Sequence, residues 1–125
     1  MAPKPLPILL GALAFFWASA ALAGAPASEP EAKASFERFS QEWMGKMSRA
    51  GDANRANAQR TGSGYTDYGD DYRVELKPTG HATAPYVGIL RYQQFKCANS
   101  TPSCAGARRS PVTEIFRFQN GRWVY

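Results

Sequence analysis

The residues of this 125-residue chain that can do chemistry are few, and Glu114 is the most telling of them. In the run Glu114-Ile115-Phe116-Arg117-Phe118, strand alternation places its carboxylate on the same side as two phenylalanines. It is then either a buried acid that needs a partner such as Arg91, or an ordinary residue near a strand end. A carboxyl group among apolar neighbours can serve as a general acid or base, because burial raises its affinity for the proton. Tyr65 to Tyr72 gathers Asp67, Asp70 and Asp71 among three tyrosines. Clustered oxygens suit calcium, but the glycine and distal glutamate of the regular calcium loop do not fall at the required spacing, so a polar turn leading into a strand is expected instead. His81, the one histidine, lies between Gly80 and Ala82 with no motif around it. Arg108-Arg109, shortly before Pro111, reads as a solvated approach to a strand rather than a phosphate site. No Ser/His/Asp, Cys/His, phosphate-loop or metal-ligand pattern occurs, so no catalytic residue, metal or cofactor is assigned.

The two cysteines, Cys97 and Cys104, are seven residues apart. They have neither a Cys-x-x-Cys spacing nor a neighbouring histidine, so a structural disulfide is expected rather than a redox or metal site. The start of the chain agrees with an oxidising destination. Lys4 is followed by an apolar run from Leu6 to Leu22 and by Ala21-Leu22-Ala23, the three parts of a secretory signal peptide with cleavage after Ala23. Removing 23 of the 125 residues leaves 102, one domain's worth, with 14 basic and 10 acidic residues for a net charge of +4. The expected product is periplasmic or secreted, with no stable membrane span after cleavage. Its mixed charges permit weak attraction to acidic surfaces but form no basic stripe of the kind that binds nucleic acid.

These groups need elements to position them. Ser28-Glu29-Pro30-Glu31 is a capping-box pattern that starts a helix. Ala32, Phe36, Phe39, Trp43 and Met47 then recur at helical spacing, and the helix is expected to close near Gly51. From Gly51 to Asp71 no apolar period is sustained, which predicts a polar connector with a short helical turn near 53–59 and makes it a candidate binding loop. Strands are expected at Tyr72–Lys77, Tyr86–Lys96, Val112–Gln119 and Arg122–Tyr125. Gly88 marks a bend or a place where the helix comes close. Asn120-Gly121 fits a type I′ turn that sets Gln119 opposite Arg122, Phe118 opposite Trp123 and Phe116 opposite Tyr125. The aromatic face so formed requires a helix across it.

One amphipathic helix followed by a four-stranded antiparallel meander is an α+β roll. The Phe36/Phe39/Trp43 helix, the strand Tyr86-Val87-Gly88-Ile89-Leu90-Arg91-Tyr92 and the ending Phe116 to Tyr125 resemble the cystatin-like and nuclear-transport-factor-2-like folds. That resemblance implies a helix lying in the concave face of a bent sheet, as an architecture without transferable site residues. The Gln-x-Val-x-Gly hairpin of cystatin inhibitors is absent from the sequence. A helix across a curved sheet leaves a pocket, and Trp43, Tyr86, Tyr92 and Glu114 are the residues expected to line it. The expected function is non-enzymatic binding, in that cleft, of a small apolar ligand or an envelope protein, by a monomer or homodimer. A small cofactor-free lyase or isomerase is the alternative.

Overall fold

The computed structural model describes Pro3 and residues 27–98, 104 and 107–125. The expected signal segment, 1–23, lies outside the described residues apart from Pro3. Among the described residues one helix, α1 (Glu29–Thr61), precedes four strands: β1 (Tyr65–Pro78), β2 (Tyr86–Cys97), β3 (Arg108–Gln119) and β4 (Arg122–Val124). They form one antiparallel sheet in the order β1-β2-β3-β4. Among the described residues no helix is long and apolar enough to cross a membrane.

Helix α1 begins where the capping pattern puts it. Ser28 is extended (φ −65°, ψ 159°), and its hydroxyl accepts a hydrogen bond from the Glu31 N–H at 3.3 Å. Glu29 and Glu31 favour the positive end of the helix dipole, and Arg60 the negative end. The expected end at Gly51 is wrong. The helix runs on to Thr61 and stops at Gly62, whose φ of 73° allows its N–H to bond the Ala58 carbonyl at 2.7 Å. Gly51 serves a different need, because a Cβ there would overlap the Asp67 carboxylate of β1. Beyond it, Asn54 donates to the Thr66 carbonyl at 3.0 Å and Ala58 is buried. The helix therefore docks its second half through Gly51, Asn54 and Ala58, a row with no large apolar group.

β1 correspondingly starts at Tyr65, seven residues before the expected Tyr72. The Asp-rich stretch is strand and not turn. It is accommodated by an irregularity in which residues 69–71, between Tyr68 and Tyr72, face only Gln93, because Tyr68 pairs with Gln94 and Tyr72 with Tyr92. β3 likewise begins at Arg108 instead of Val112, because its pairing with β2 continues unbroken to Lys96. Asn120 (φ 54°) and Gly121 (φ 73°) make the turn, and the register Gln119–Arg122 and Phe118–Trp123 is the expected one.

Between helix and sheet the core holds Phe36, Met44, Leu90, Tyr92 and Phe116, flanked by half-buried Phe39, Trp43, Met47 and Trp123. Ser40 and Met44 join the buried row that was expected to run only through Ala32, Phe36, Phe39, Trp43 and Met47. Aromatic rings fill the space in series, with centroids 4.6 Å apart for Phe36–Trp123, 4.7 Å for Phe39–Phe116 and 5.0 Å for Trp43–Phe116. Gly88 lies under this row, where a Cβ would collide with the Phe36 ring, so it marks the close approach of the helix. A second cluster of Ala58, Tyr65 and Cys97 closes the far end of the helix. Cys104 stands beside it, its Cα 5.3 Å from that of Cys97 and its sulfur at disulfide distance.

Candidate functional site

Glu114 lies in the middle of β3, half-buried, opposite Leu90 of β2, and not at a strand end. Alternation turns it to the helix side, as Phe116 and Phe118 are turned. Arg91 is not its partner. That guanidinium sits on the other face of the sheet, 3.1 Å from Glu75, whose carboxyl it holds below the usual carboxylate range with help from Lys77. The Glu114 carboxylate accepts instead from two phenols: Tyr92 donates to Oε1 at 3.0 Å and Tyr125 donates to Oε2.

The surroundings of this trio are aromatic. Tyr92 is 5% exposed, with the Met47 sulfur 3.8 Å from its oxygen and the Tyr68 ring 6.2 Å from its own. Burial, and then the hydrogen bond to Glu114, pushes the Tyr92 phenol up to about 12, so it stays protonated and a donor across the physiological range. Tyr125, an exposed side chain, is also shifted upward, first by its bond to the same carboxylate. The Trp43 indole lies 6.0 Å from the Tyr125 ring. Its buried N–H makes no hydrogen bond among the described residues, although it is near enough to Tyr92 to oppose that phenol's upward shift. The site therefore combines a carboxylate, two phenols held as donors, an indole N–H without a partner and several ring faces. Such a set binds a donor or a cation more readily than an anion.

Of the residues expected to line one pocket, the fold brings Trp43, Tyr92 and Glu114 together. Tyr86 is elsewhere: its hydroxyl donates to the Ala27 carbonyl at 3.1 Å and its ring lies tilted beside Phe118, 6.4 Å between centroids, fixing the start of the helix. It lies six residues from Tyr92 on β2, roughly 20 Å along the strand. Tyr125 was missed as a site residue, although the hairpin register that faces it toward Phe116 puts it one strand from Glu114. Of the other chemistry-bearing groups, Asp67, Asp70 and Asp71 line a separate groove of about 680 Å³ with Gln93, Phe95 and Arg109. His81 is exposed in the loop between β1 and β2, where its N–H bonds the Thr79 hydroxyl. Among the described residues no three His, Cys, Asp or Glu side chains converge as a metal site would require.

No protein-family model matches this chain, and no curated protein or solved structure matches it. The functional reading therefore rests on the residues themselves.

Proposed function

We propose that this chain is a small exported binding domain of the cystatin-like and nuclear-transport-factor-2-like roll architecture, and that its ligand seats at the Trp43–Tyr92–Glu114–Tyr125 end of the helix–sheet interface. The observation that carries this reading is the half-buried Glu114 carboxylate, whose partners are two phenols and to which no described lysine or arginine comes within ion-pair distance. A ligand with an apolar body and an amine or hydroxyl head can take the place of the exposed Tyr125 phenol. Its head then donates to Glu114 while its body rests on Trp43 and Phe116. Export is supported by the Lys4 to Ala23 pattern and by the cysteine pair, which suits an oxidising compartment.

Native mass spectrometry of the protein taken gently from its own cells, repeated after denaturation, tests the reading. A small mass lost on denaturation, and lost also in Glu114→Gln without a change in fold, is the expected result. A bare protein that takes up no aromatic amine or alcohol in titration would sink it. The same three groups could act as base and donors in a lyase or isomerase, which turnover of the bound molecule by wild type but not by Glu114→Gln would reveal.

A further inference from the structure

The helix covers one face of the sheet, and the other face has a charge pattern of its own. Strand register places Arg73 and Glu75 and Lys77 of β1, Arg91 of β2, Arg117 of β3 and Arg122 of β4 on that outer side, all exposed. Within this patch the Glu75 carboxylate is shared by Arg91 at 3.1 Å and Lys77 at 3.8 Å, while Asp67, Asp70 and Asp71 gather with Arg109 at the other end of β1. Arg73 and Arg91 stand directly opposite each other, and the Glu75 carboxylate bonded to Arg91 offsets part of their repulsion. Helix α1, by contrast, mixes six basic with five acidic residues. Arg73, Glu75, Lys77, Arg91, Arg117 and Arg122 thus set five cations against one carboxylate on this part of the sheet, whereas the start of β1 is acidic.

The middle of this face is aliphatic. Ile89 and Ile115 are aligned across β2 and β3 beside Glu75 of β1, with Ile89 buried and Ile115 55% exposed. Val87 and Val124 flank Arg117 in the next row on that face. The cations are spread over four strands, roughly 15 Å at ordinary strand spacing, and surround Ile115 rather than converging on one point. A second copy of the chain is a poor occupant, since a two-fold contact would set cations against cations. A plane of uniform negative charge with an apolar layer just beneath it fits both features.

We infer that the outer face of the sheet docks on an anionic lipid bilayer surface, with Arg73, Lys77, Arg91, Arg117 and Arg122 over the headgroups and Ile115 entering the layer below. Binding of this type sums modest per-residue attractions and is screened by salt.

The test is sedimentation of the full protein with vesicles of phosphatidylcholine alone or mixed with phosphatidylglycerol. Comparing the two compositions separates the charge-dependent part from any general apolar adsorption. The expected result is preference for the mixed vesicles, lost at high salt. Arg73→Gln, Arg117→Gln and Arg122→Gln should each lower that preference about fivefold, as is usual for a cation at an anionic surface. Ile115→Ser should weaken binding to the mixed vesicles with the salt dependence unchanged, and Lys46→Gln/Arg49→Gln on the helix should have no effect. Far-UV circular dichroism checks that each variant is folded, and because Arg73 opposes Arg91, Arg73→Gln should melt no lower than wild type at low salt. Equal partition onto both vesicle types overturns the inference, as does an equal loss in the helix variant. Salt-sensitive capture by an acidic protein with no vesicle binding overturns it too, and would make the face a protein interface.

Discussion

Tyr92 shows how one group's surroundings become a property of the whole fold. Its phenol is buried, donates to Glu114 and is pushed from 10.0 up to about 12. An unfolded chain releases that proton near 10 and the folded one near 12, so the contribution of the protonated phenol is fully present below pH 10 and is lost as pH rises to 12. Chemical denaturation followed between pH 9 and 12 should show wild type losing stability over that window, with Tyr92→Phe losing distinctly less. At Glu114 the direction is different. Replacement by Ala leaves the buried Tyr92 hydroxyl without its acceptor and should cost about 1–3 kcal/mol, whereas Glu114→Gln keeps an acceptor and should cost less. Equal losses in the two variants, measured by urea titration, would show that packing rather than the hydrogen bond holds this position. The aromatic neighbours of Glu114 were legible from alternation alone. Its phenol partners were not, because Tyr125 reaches it across the strand register and Tyr92 belongs to another strand.

At the scale of elements, Gly51 separates two accounts of the helix. A glycine at a solvent-facing helical position is improved by Ala, by roughly 1 kcal/mol. Here the added methyl group meets the Asp67 carboxylate, so Gly51→Ala should instead destabilise, by about 1–3 kcal/mol, and pairing it with Asp67→Gly should recover much of the loss. Thermal melts of the single and double variants measure this directly. The same place explains where sequence reading stopped. Phe36, Phe39 and Trp43 announce a helix, Val74 and Leu76 a strand, and Asn120-Gly121 a hairpin. The contact of residues 51–61 with β1 is made by a glycine, an asparagine and an alanine, which leave no apolar period to count. The Asp-rich start of β1 is hidden for a related reason, since the irregular pairing at 69–71 admits residues that ordinary strands exclude.

At the scale of the molecule, two clusters of buried residues among the described ones sit at different stations along α1. The larger unites helix and sheet around Phe36 and Phe116, and the smaller joins Ala58 to Tyr65 and Cys97 beside Cys104. Closing so short a loop contributes roughly 2–3 kcal/mol in the chain-entropy model, and the smaller cluster has little else to hold it. Reduction should therefore lower the melting temperature, and hydrogen exchange should increase first at Ala58, Tyr65 and Cys97 while Phe36 and Phe116 remain protected. Uniform acceleration of exchange would show instead that the clusters open as one unit. The order of strands in the sheet has one more consequence. Each strand pairs with its neighbour in sequence, so a chain made from its N-terminus can lay β2 on β1 and β3 on β2 as they emerge, with no strand waiting for a distant one. Trp123 ties the end to the beginning, resting on Phe36 and donating to Ser35 at 3.0 Å. Assembly can thus proceed in the order of synthesis, with that indole arriving last to latch the first helix in place.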